Sequence, residues 1–184
     1  IPVMAITSLG TVMLPRMSNL IANGNHEVAR KYIQKSLIVS LFLSAPISLG
    51  LSAIVNEFVP LFYGDGYDAC KMIIPVLVIA SMFIAWANVI RTQYLIPNKK
   101  DKIYIVSVFL GAFVNVAINL LLIPRYQALG AAVGTLFAEI SVCLYQTYKV
   151  RKEIKVIKYL AQAFPFVIFA IVMYFILILI PDIY

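Results

Sequence analysis

Three ionisable side chains stand inside otherwise apolar stretches: Arg16, Arg91 and Glu139. Exposing such a charge to hydrocarbon costs on the order of 3 kcal/mol. Each must be paired, neutralised, turned toward water or drawn to an interface. Glu139 is the most central. Protonated or paired with an arginine it is structural; facing water it is a coupling site for a proton or sodium ion. Arg16 follows Pro15 and lies about 21 Å into its stretch at 1.5 Å per residue, deep enough for a cavity role. Arg91 lies about 28 Å into its own, and its long stem reaches toward the membrane surface. Amides accompany these charges. Asn88 precedes Arg91 by three residues, and Asn115 and Asn119 follow Gly111 at a spacing of four. Hydrophobic anchoring does not explain two asparagines on one apolar helix. They either bond neighbouring helices or line a cavity.

The same inventory excludes other chemistry. His26 is the single histidine, and Cys70 and Cys143 are the only cysteines. No paired carboxylates, Cys/His cluster or metal-ligand spacing is present, so hydrolytic and metal-dependent catalysis have no support. Gly64-Asp65-Gly66-Tyr67 lacks a following Lys-Ser/Thr and is not a phosphate-binding loop. No catalytic residue, metal or cofactor is expected, and both cysteines read as free thiols.

The elements that position these residues are membrane spans. The chain is 62% hydrophobic, with a mean hydropathy of +0.94, which excludes an ordinary soluble domain. Six apolar stretches fall at roughly 2–22, 33–55, 72–96, 103–123, 127–148 and 159–180, each long enough for a helix to cross a bilayer. The fold class is therefore an all-α, polytopic membrane bundle of about six transmembrane helices. Eleven of the fifteen Lys and Arg side chains lie in alternate connections: Arg30, Lys31 and Lys35; Lys99, Lys100 and Lys102; and five between 149 and 158. The positive-inside rule places those connections in the cytoplasm and both residue 1 and residue 184 outside. The net charge of +7 then points to anionic lipid headgroups rather than nucleic acid. An outside N-terminus beginning with Ile reads as a fragment of a longer chain, with an odd number of spans upstream.

Secondary features refine the bundle. Ser36, Ser40, Ser44, Ser48 and Ser52 form a winding stripe at spacing four, as a packing seam or as the lining of a path. Pro46 interrupts the same helix; with Pro15 it is a hinge candidate. Gly130, Gly134 and Ala138 form a small-residue seam for close helix approach. Residues 56–71 read as an outer loop with interfacial Tyr63 and Tyr67. The basic segment 149–158 reads either as an amphipathic helix in the headgroup plane or as a charged helix extension.

Four segments taken in order resemble one family: LPRMSNL (Leu14–Leu20), LFYGDGY (Leu61–Tyr67), LIPNKKDKIY (Leu95–Tyr104) and GAFVNVAINLLLIPRYQALGAAVGTLFAE (Gly111–Glu139). They resemble the C-terminal half of bacterial polysaccharide-repeat-unit flippases, within the multidrug/oligosaccharidyl-lipid/polysaccharide exporter superfamily. The resemblance covers residues 1–148; the span at 159–184 is generic. It departs at Gln127, where the family usually has Gly after the Tyr.

The resemblance implies most of the second lobe of a two-lobed transporter in the bacterial cytoplasmic membrane. It implies flipping of undecaprenyl-diphosphate-linked oligosaccharide repeat units for capsule, O-antigen or exopolysaccharide, by alternating access. Arg16 and Arg91 become candidate diphosphate partners, because a guanidinium fork suits phosphate oxygens. Asn88, Asn115 and Asn119 become candidate glycan contacts and Glu139 the coupling candidate. A polysaccharide polymerase or glycosyltransferases are implied as partners. A drug/cation antiporter or a lipid II flippase of the same superfamily shares the fold. A membrane-embedded transferase needs a catalytic His or acidic motif, which the lone His26 does not supply.

Overall fold

The computed structural model describes residues 2–179. Among them the chain is helical: α1 (Pro2–Ala22), α2 (His26–Ala53), α3 (Val55–Tyr63), α4 (Ala69–Ile90) continued by a π-helical turn (Arg91–Leu95), α5 (Asp101–Val150) and α6 (Val156–Leu179). Four helices are long and apolar enough to cross a membrane: α2, α4 with its π turn, α5 and α6. The chain is a polytopic helical membrane protein.

α5 is a hairpin rather than one rod. Gln127 at φ 47°, ψ −124° breaks it, and the two arms run antiparallel. A Cβ on Gly130 would lie 2.7 Å from the Leu122 carbonyl, and one on Gly134 would collide with the Asn119 side chain. Further along, Gln146 Nε2 donates to Ser107 Oγ across the arms at 2.8 Å. In lipid, apolar burial between helices supplies no hydrophobic drive, so close approach of small residues and interhelical hydrogen bonds hold the arms. That is why the Gly130/Gly134/Ala138 seam faces the Gly111 face of the first arm.

α2 is the hub, packed on α6 and α4 and beside α1. Ala29, Ile33, Leu37 and Leu41 are buried at spacing four, and the serine stripe is buried beside them from Ser36 to Ser48. Ser48 donates to the Val78 carbonyl of α4 at 2.7 Å and meets Ser81 at 3.2 Å. The stripe is a packing seam. Pro46 and Pro15 both sit inside continuous helices, each removing one backbone donor.

Two expectations for the connections are corrected. Residues 56–71 are not all loop. Val55 and Val59, one turn apart, are buried and dock the short helix α3, with Glu57 in its first turn complementing the helix dipole. The segment 149–158 is no amphipathic helix either. It turns at 151–155, because Val150, Ile154 and Val156 are at most 1% exposed within the bundle. Val150 and Ile154 spend their apolar surface on protein, whereas Ile157 is 70% exposed.

The connections 23–25, 96–100 and 151–155 meet at one end of the bundle, the end that carries the eleven basic residues. α1 ends there on Gly24 at φ 74°, with Asn25 N–H donating to the Leu20 carbonyl at 2.9 Å. The π turn ends with Lys99 at φ 55° and Lys100 N–H on the Leu95 carbonyl at 2.8 Å. Both are left-handed helix stops that satisfy orphan carbonyls.

Candidate functional site

A cavity of about 500 Å³ lies between α4 and the α5 hairpin, with Thr7 of α1 in its lining. α4 contributes Asn88 and Arg91; the first α5 arm contributes Asn115, and the second contributes Glu139 and Gln146. Helix periodicity explains the convergence. Ala87, Asn88 and Arg91 share one face of α4, as do Gly111, Ala112 and Asn115 on the first arm and Thr135, Ala138, Glu139 and Val142 on the second.

Arg91 is half-buried, its guanidinium carbon 5.5 Å from the centroid of the Tyr104 ring. The ring face attracts the cation and holds it at the cavity wall. Arg91 begins the π turn, where Ile96 N–H reaches back to the Arg91 carbonyl at 3.0 Å. Single π turns recur at functional positions because the extra residue re-aims the side chains around it. Glu139 faces the same cavity from the other wall. Among the described residues, no ion pair joins Arg91 and Glu139 within 4 Å. The amides are also under-used: Asn88 Oδ1 and Gln146 Oε1 are buried without a hydrogen-bond partner. Asn88 Oδ1 packs against Gly10 of α1, so it is the unpaired charges of Arg91 and Glu139 around an open volume that can receive a polar ligand.

Asn119 and Arg16 stand apart from this group. Asn119 Nδ2 donates to Asn115 Oδ1 at 2.9 Å, and its carboxamide rests against Gly134 in the hairpin seam. It orients Asn115 and packs the arms. Arg16 is nine residues from Thr7, which on a 3.6-residue helix is about half a revolution in phase. Its guanidinium donates to the Tyr32 hydroxyl and stacks over the same ring, 4.4 Å from the centroid. It therefore ties α1 to α2 on another face. Gln146 and Thr135 were not singled out from the sequence. The signal for Gln146 was present: a glutamine seven residues after Glu139 returns to the same helix face.

A second, smaller pocket of about 260 Å³ sits at the basic end, lined by His26, Arg30, Tyr94, Asn98 and Glu153 among others. The Glu153 carboxylate is held by the Lys100 ammonium and accepts from the Tyr94 hydroxyl. Lys100, then Tyr94, holds the Glu153 carboxyl below its ordinary range. Cys70 and Cys143 are free, and no group of metal-binding side chains occurs among the described residues.

Comparison with known proteins fits this architecture. The chain is 25% identical over 160 residues to the lipid II flippase MurJ of Bacillus subtilis, covering 83% of this chain and 28% of that protein. It is 24% identical over 148 residues to an uncharacterised membrane protein of Methanocaldococcus jannaschii, covering 79% of this chain and 28% of that one. The chain thus spans 28% of the length of these curated relatives. No solved structure matches it. The family model for lipid II flippase MurJ matches residues 3–184, and the chain belongs to that family.

Proposed function

We propose that this chain forms part of a flippase that moves an undecaprenyl-diphosphate-linked glycan precursor across the cell membrane by alternating access, and that the precursor is lipid II. The observation that carries the reading is the convergence of Arg91, Asn88, Asn115 and Glu139 on one cavity between membrane helices. A diphosphate crossing hydrocarbon needs a cation that is not already spent, and Arg91 has no ion-pair partner among the described residues. Amides suit sugar hydroxyls and peptide groups. Glu139, which lines the same cavity, is the residue assigned on this reading to couple the cycle to a proton or sodium ion. Family membership favours lipid II over the capsule and O-antigen repeat units that the sequence motifs resemble. Arg16, tied to Tyr32 on another face, is not part of this cavity, and Asn119 supports Asn115.

The test is depletion of the intact gene with mass spectrometry of undecaprenyl-diphosphate-linked lipids. Accumulation of lipid II with arrested wall synthesis supports the reading. Accumulation of a polysaccharide repeat unit with normal lipid II returns the substrate to the repeat-unit class. Unchanged lipid-linked glycan with raised sensitivity to cationic compounds points to a drug antiporter instead.

A further inference from the structure

The pocket at the basic end has a composition that a simple structural latch does not need. Glu153 is the one acid within the segment 149–158, among five bases. It is also the group that reaches across to another connection, with Lys100 on both of its oxygens and the Tyr94 hydroxyl on one. Arg30 lines the same pocket with no ion pair of its own among the described residues. His26 stands beside it, in the first turn of α2, whose N-terminus lacks a side-chain cap. The volume of about 260 Å³ exceeds what one carboxylate fills; a water occupies about 30 Å³. Arg30 is the cation in the lining, and Lys100 reaches Glu153 from just outside it, so together they outnumber the anion, and room remains beside it.

We propose that this pocket binds a phosphate-class anion, with Arg30 and Lys100 as its cations and Glu153 as an internal anion that swings aside to admit it. Glu153 suits that role because its side chain is 45% exposed, so it has open space to move into. Arg30 supplies the charge that the Lys100–Glu153 pair leaves over. The ligand is either a lipid headgroup phosphate at the membrane face or a free phosphate; both present the same oxygens to a guanidinium fork.

The experiment uses the intact protein in nanodiscs of phosphatidylcholine or of phosphatidylcholine with phosphatidylglycerol. Thermal unfolding is followed in sodium phosphate and in sodium chloride of equal ionic strength. A midpoint raised by phosphate in phosphatidylcholine identifies a free anion. A midpoint raised by phosphatidylglycerol alone identifies a lipid headgroup. Glu153→Gln, which removes the internal competitor, should lower the half-saturating concentration of the effective anion about tenfold. Arg30→Gln leaves the Lys100–Glu153 pair intact and should abolish the response. No anion response in the unmodified protein, a response that survives Arg30→Gln, or an unchanged half-saturation in Glu153→Gln overturns the proposal.

Discussion

Two polar sites among the described residues treat charge in opposite ways. At the basic end, Glu153 is engaged by Lys100 and Tyr94, which ties the connection 151–155 to 96–100 and the π turn. In the cavity between α4 and the α5 hairpin, Arg91 and Glu139 face one another's volume without pairing, and Asn88 and Gln146 keep unfilled acceptors. Water at a membrane surface makes a charge cheap and an ion pair weak. Hydrocarbon does the reverse, so unpaired groups at depth destabilise the fold unless a cavity or ligand receives them. On the proposed function, the difference separates a charge that closes the bundle from charges held open for transport.

The largest effect that tests this contrast is expected at Arg91. Arg91→Ala should lower precursor export about 100-fold at normal abundance, the scale of losing one buried charged partner. Arg91→Lys should retain part of it, since the point charge remains and the fork does not. Export by the Ala variant at the unmodified rate would place the diphosphate elsewhere.

The hairpin that builds the cavity wall comes next. Gly130→Ala forces a methyl to 2.7 Å from Leu122 backbone atoms, and backbone cannot rotate away. It should cost about 2 kcal/mol, read as a lower unfolding midpoint in detergent. The turn itself offers a gain. Gln127 holds φ 47° and ψ −124°, a conformation that glycine adopts with little strain. Gln127→Gly should stabilise by about 1 kcal/mol in the same assay; destabilisation would show that the Gln side chain holds the turn.

The smallest effect belongs to the basic end. Glu153→Gln should cost less than about 1 kcal/mol at neutral pH, because the pair is partly exposed and screened by water. Its folded carboxyl titrates below the ordinary value of 4.5. The stabilisation is therefore complete above that value and disappears as pH falls through the lowered one. The unmodified and Gln proteins should differ in midpoint at pH 7 and converge in strong acid. Equal midpoints at both pH values would remove the latch from the account.

Hydropathy made the bundle legible because helices in lipid must satisfy their backbone internally and span a fixed thickness. The basic connections were legible too, and the structure gathers them at one end. Gln127 stood out as the departure from glycine, and it is the residue with left-handed φ at the α5 turn. The helix α3 was hidden because Pro60 and the following glycines resemble a loop, while only Val55 and Val59 mark its docked face. The membership of the cavity was half legible. Each helix displays its own polar face, yet which faces meet depends on how α4 seats against the hairpin. That packing brings Asn88, Arg91, Asn115 and Glu139 together, adds Gln146, turns Asn119 into the seam and leaves Arg16 against Tyr32. Counting depth along α1 could not place Arg16, because phase around the helix determines what it faces.

The most direct measurement places a bulky probe in the cavity. Ala112 is exposed and lines it without a polar role. In the intact protein with Cys70 and Cys143 replaced by alanine, Ala112→Cys should sustain export until a membrane-impermeant maleimide labels it, and export should then stop. Labelling that leaves export unchanged, or a cysteine that no aqueous reagent reaches in actively exporting cells, would contradict the placement of the transport path between α4 and the α5 hairpin.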